Sequence, residues 1–122
     1  MKNVLLFIAI LISSPVFADN CDKPRDDFDG LYCLNKVYQE SDKELNTAYV
    51  ELRSFLTNQE KNRLKTTQVS WIKRRNRACS VHKNGQFFVS LQCTTSMTVA
   101  RTNQLQDRIR ECKAIGCQKS KL

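Results

Sequence analysis

Few residues of this chain have the type and spacing that covalent chemistry needs. Ser80 and His82 lie two apart, but an activated hydroxyl needs a base and a group that orients the base, and no third member is at hand. Asp42 and Glu44 are also two apart. On a helix that spacing turns them in different directions, whereas glycoside hydrolysis needs two carboxylates flanking one cleft. His82 is the one histidine and there is no Cys-x-x-Cys, too poor a ligand set for a zinc site. The reading is a non-enzyme with no catalytic residue, no metal and no cofactor.

The six cysteines, Cys21, Cys33, Cys79, Cys93, Cys112 and Cys117, carry a different chemistry. An even number in a short exported chain reads as disulfides. Six thiols allow about 15 pairings. Neighbour pairing, Cys21–Cys33, Cys79–Cys93 and Cys112–Cys117, is the simplest. Export follows from the first 18 residues: Lys2, an apolar run from Val4 to Ile12, then Val16-Phe17-Ala18. These have the form of a cleaved signal peptide, and the apolar run is shorter than the roughly 20 residues of a membrane span. No lipid-attachment motif precedes Cys21. The expectation is a periplasmic or secreted protein whose mature part, residues 19–122, is one domain that does not span the membrane.

Those thiols must be positioned by helices, and the helix pattern holds an anomaly. In the first helix, about Leu31 to Phe55, the apolar positions are Leu34, Tyr38, Leu45, Tyr49 and Leu52, with Asp42 in step. In the second, about Thr57 to Cys79, they are Leu64, Trp71, Ile72 and Cys79, with Gln68 and Arg75 in step. In the third, from about Ser90 or Gln92 to Ala114, they are Leu105, Ile109 and Cys112, with Arg101 in step one turn earlier. Residues three or four apart share a face. A buried guanidinium or carboxylate persists only when paired and hydrogen-bonded, so Asp42, Gln68, Arg75 and Arg101 are expected to meet, with Arg101 bridging to Asp42. Thr57 and Glu60 form a capping box. The short link after Phe55 predicts that the first two helices are antiparallel neighbours. Residues 19–30 read as an acidic extended arm or short turn tied down by Cys21, 82–86 as a loop, Phe87-Phe88-Val89 as a short strand or wedge, and 118–122 as a loose tail. A break near Ser41 is compatible with the pattern. The fold class is all-α, a small disulfide-stapled three-helix bundle.

Charge is divided unevenly. Residues 19–51 carry nine acids and four bases; residues 52–122 carry three acids and fifteen bases. Asp19, Asp22, Asp26, Asp27 and Asp29 form an acidic arm. Lys61, Lys65, Lys73, Arg74 and Arg77 form a basic helix face suited to anionic envelope components such as lipopolysaccharide or acidic glycans. Nucleic acid is not an expected partner, since an exported, oxidised chain without a recognition motif rarely meets it.

Three ordered motifs remain: Asp42-Lys43-Glu44-Leu45-Asn46 with Tyr49; Gln68, Trp71-Ile72, Arg75-Asn76 and Cys79; and Cys93, Thr98, Arg101 and Leu105. Together, over about residues 33–105, they resemble the bacterial exported domain family named after the lysozyme inhibitor LprI. The segment before Cys93 departs from that family's Gly-Gly-Ser-like stretch, with only Gly85 present. The resemblance implies a helical, disulfide-bonded protein-binding module acting on lysozyme. Asp42, Asn46, Gln68, Trp71, Arg75 and Arg101 match motif positions and are expected to form its internal polar network. An immunity-type inhibitor of another exported enzyme and a purely structural envelope protein are the alternatives. Many lysozymes are basic, as this chain is, so an inhibitor is expected to present the acidic arm.

Overall fold

The computed structural model describes residues 21–122, so the segment expected to be a signal peptide and Asp19 lie outside the described residues. The order is α1 (Asp27–Ser54), α2 (Asn58–Ala78), β1 (Ser80–Lys83), β2 (Gln86–Val89), α3 (Leu91–Ile115) and a short 3-10 turn at Lys119–Lys121. The all-α reading holds, with one small hairpin added between α2 and α3.

α1 begins four residues before Leu31. Asp26 caps it by accepting from the Asp29 N–H at 2.9 Å, and Asp27 and Asp29 occupy the first turn, where carboxylates complement the helix dipole. The acidic arm is therefore partly a helix start rather than extended chain. Gly30 is inside the helix, at a cost of about 1 kcal/mol relative to Ala. There is no break at Ser41, whose buried hydroxyl donates to the Tyr38 carbonyl at 2.7 Å. α2 starts as the capping box requires: Glu60 N–H donates to Thr57 Oγ1, and the Thr57 N–H donates to Glu60 Oε2 at 2.9 Å.

The first two helices are not close neighbours along their backbones. α1 packs most tightly along α3, and α2 stands farther out. Side-chain size explains this. The α1–α3 seam includes the buried small residues Ser41, Ala48, Thr94, Thr98 and Thr102, so the two backbones approach closely. α2 contributes Leu64, Gln68, Trp71 and Arg75, which hold it away. The three threonines lie one turn apart and donate to the carbonyls of Ser90, Thr94 and Thr98, so a polar stripe is buried with its hydroxyls satisfied.

The apolar core is Leu45, Ala48, Leu52, Leu56, Leu64, Trp71, Leu105 and Ile109, closed by Tyr49, Met97, Cys112, Cys117 and Leu122. The tail is thus docked rather than loose: Leu122 packs on the core, and Lys121 Nζ lies 2.8 Å from Glu111 Oε1. Disulfides join Cys21–Cys33, Cys79–Cys93 and Cys112–Cys117.

Candidate functional site

The polar residues that stand in step with the core do meet across helices, as two separate pairs. Arg101 Nε on α3 donates to Gln68 Oε1 on α2 at 2.9 Å. Arg75 Nη1 on α2 donates to Thr98 Oγ1 on α3 at 3.3 Å and lies 3.9 Å from Asp42 Oδ1 on α1. Arg75 also donates to its neighbour Asn76 through Nε and Nη2, each at 3.2 Å, and its guanidinium sits 5.1 Å from the Trp71 ring centroid. Asn46 Nδ2 reaches Asp42 Oδ2 at 3.4 Å. The expected Arg101–Asp42 bridge is not formed, because the Arg101 guanidinium is engaged by Gln68 and Gln104. Partial burial, helped by the positive charge of Arg74, lowers the pKa of Arg101 from its ordinary value; a guanidinium stays charged regardless. Trp71 is buried. This layer ties three helices together.

Beyond that layer the molecule changes character. The start of α1, the end of α2, the hairpin and the start of α3 share one end. Cys21, Pro24, Gly30, Leu34 and Val37 line a cavity of about 460 Å³ with Gln92 and Thr95, and Cys79–Cys93 joins the end of α2 to the first turn of α3. Among the described residues fifteen large apolar side chains are exposed, and nine belong to this end: Phe28, Leu31, Tyr32, Leu34, Val37, Val81, Phe87, Phe88 and Val89. Most of the exposed apolar surface thus lies across the polar layer from the core. Monomeric proteins rarely gather exposed apolar side chains in this way without a partner.

The hairpin is exposed along its whole length except at Ser80, which is half-buried. Asn84 and Gly85 have φ of 52° and 74°, the two positive values a two-residue type I′ turn demands, which Asn-Gly meets at least strain. The residues read as a loop are therefore mostly strand. Pairing sets Val81 against Phe88 and Lys83 against Gln86 on one face, and Ser80 against Val89 and His82 against Phe87 on the other. The His82 and Phe87 rings lie 4.6 Å apart. Phe87 is 75% exposed, Phe88 56% and Val81 62%, so neither face is packed on the helices. The base is held by the disulfide and by the Ser90 N–H donating to the Cys79 carbonyl at 2.8 Å.

The charged candidates are distributed differently from the sequence reading. Asp26 is spent on the helix cap, and Asp29 is bound by Arg25 Nε at 2.8 Å, an interaction that lowers its carboxyl pKa. Asp22 and Asp27 are exposed. On α2, Lys73, Arg74 and Arg77 lie toward the hairpin, whereas Lys61 and Lys65 lie two to three turns earlier, about 12–18 Å from Lys73 along the axis. The five do not form one compact patch. From residue 61 to 106 the chain has no Asp or Glu. No cluster that could hold a metal ion and no helix long and apolar enough to cross a membrane occurs among the described residues.

No curated protein and no solved structure matches the chain. A family model does. It covers residues 21–105, a span that takes in the Cys21–Cys33 and Cys79–Cys93 disulfides, the Asp42–Arg75–Thr98 and Gln68–Arg101 contacts and the whole hairpin. On that match, the chain belongs to the family described as Lysozyme inhibitor LprI.

Proposed function

We propose that this protein is an exported protein-binding module that inhibits a lysozyme by occupying its surface, without catalysis of its own. The observation that carries the reading, beside family membership, is the exposed apolar end of a disulfide-tied scaffold. A rigid scaffold keeps the entropic cost of association low, and aromatic side chains are the usual anchors of such interfaces. The exposed acids at the same end, Asp22 and Asp27, give a basic lysozyme a local attraction that the net charge of +8 would deny it.

The test is a cell-wall clearing assay with the mature, oxidised protein against several lysozyme types. Dose-dependent protection that disappears on reduction supports the reading; no protection at large molar excess contradicts it. An immunity-type role against another exported enzyme would leave every lysozyme active. Binding to an anionic envelope polymer would instead use Lys73, Arg74 and Arg77, and would weaken steeply with salt.

A further inference from the structure

We propose that the β1–β2 hairpin is the inhibitory finger. It enters the substrate cleft of a lysozyme-type glycan hydrolase, with Phe87, Phe88 and Val81 against the cleft walls and Lys83 directed at the catalytic carboxylates. This rests on the inhibitor reading above and adds the element, the target site and the mode of inhibition.

The argument begins with what the hairpin lacks. A two-stranded hairpin is marginal in water unless one face is packed, and this one packs neither face on the helices. Its order comes instead from its two ends: a turn sequence that fits its geometry and the Cys79–Cys93 crosslink at its base. That construction keeps an apolar element rigid and free of the body of the protein. Its strands are four residues long, about 13 Å, and it is only two strands wide, their axes about 5 Å apart. A finger of those dimensions suits a groove that accommodates an extended sugar chain.

Charge selects the occupant. Glycan hydrolases carry two carboxylates flanking the scissile bond, inside a cleft whose walls are largely apolar. The hairpin presents the complement: apolar side chains along both faces, Lys83 beside the turn, and no acid on it or on the flanking residues 61–106. Arg77, in the last turn of α2, adds positive charge near its base. A basic inhibitor of a basic enzyme is then no contradiction. The cationic finger meets the anionic cleft, while Asp22 and Asp27 at the same end meet the cationic exterior.

The test is steady-state kinetics of a lysozyme on a soluble chitin oligomer. It compares the mature oxidised protein, Lys83→Glu, Phe87→Ser/Phe88→Ser, and Lys61→Glu/Lys65→Glu as a far-end control. Near-equal melting temperatures verify folding. The wild type is expected to raise KM and leave kcat unchanged. Lys83→Glu and the double Phe variant are expected to weaken inhibition by at least about tenfold, and the control by less than about twofold. If the wild type inhibits but the hairpin variants inhibit equally well, the finger is wrong and the inhibitor reading survives. A fall in kcat at unchanged KM would place the contact outside the cleft and overturn the proposal. If the wild type inhibits no lysozyme, both readings fail. Self-association abolished by the double Phe variant, with no lysozyme affected, would reassign the face to a second copy of the chain.

Discussion

Arg75 is the side chain on which the polar layer depends. It is buried, and it touches one residue on each of the other two helices. Replacing it by Ala takes one partner from Thr98, which keeps its bond to the Thr94 carbonyl, and one from Asp42, which keeps Asn46, and it removes the cover over Trp71; a loss of about 2 kcal/mol is expected in denaturant unfolding. Asp42→Ala is expected to cost far less, about 0.5 kcal/mol, because its side chain is 43% exposed and its approach to Arg75 is 3.9 Å. The double-mutant cycle should return a coupling of only a few tenths of a kcal/mol. A coupling above about 2 kcal/mol would mean that the pair is closer and drier than described. That polar residues occupied core positions was legible in the sequence, since Asp42, Gln68, Arg75 and Arg101 fall in step with apolar neighbours. Their partners were not. Which of two nearby groups an arginine reaches depends on how far each helix is rotated and set back, and that follows from side-chain volumes on all three at once.

Elements differ in how much of themselves local sequence dictates. The α2 start was readable because Thr57 and Glu60 satisfy each other's backbone within four residues. The Glu60 carboxylate, bonded to the Thr57 N–H, has its pKa lowered from the ordinary 4.5. A depressed carboxylate stabilises the fold above its unfolded pKa, and that contribution is lost as pH falls through the folded one. Wild-type stability should therefore drop below about pH 4.5, whereas Glu60→Gln should show a shallower decline over that window in thermal melts. Thr57→Ala should cost about 1 kcal/mol. The hairpin was partly readable: Asn84-Gly85 between Val81-His82-Lys83 and Gln86-Phe87-Phe88 is a strong turn signal, but the strand before it is short and polar. The start of α1 is hidden in the sequence because Gly30 is a poor helix former, whereas in the fold the Asp26 cap and the Arg25–Asp29 pair outweigh it. Gly85 has φ of 74° and open space around it, so Gly85→Val should strain the turn alone. Amide exchange should speed up in 80–89 while global melting stays within a few degrees.

At the scale of the whole molecule, stability and recognition occupy opposite ends. The core lies toward the α1–α2 link and the chain's tail, whereas most exposed apolar residues lie toward the hairpin, with the Arg75 and Arg101 layer between. Leu52→Ala, at a fully buried site, is expected to cost about 3 kcal/mol or more. Phe87→Ala and Phe88→Ala are expected to stay within about 0.5 kcal/mol of wild type, since both residues remain more than half exposed in the fold. Large losses from both Phe variants would mean that the hairpin is structural. The sequence made this division only half visible: hydrophobic periodicity marks both Leu34 and Leu52, yet does not say which one another helix covers. The most direct measurement is amide exchange on the oxidised protein, free and mixed with a lysozyme that it inhibits. Slowed exchange in 80–89 and the first turns of α1, with the outer face of α2 unchanged, is the expected result. Protection confined to the outer face of α2, or absent from the hairpin, would contradict it.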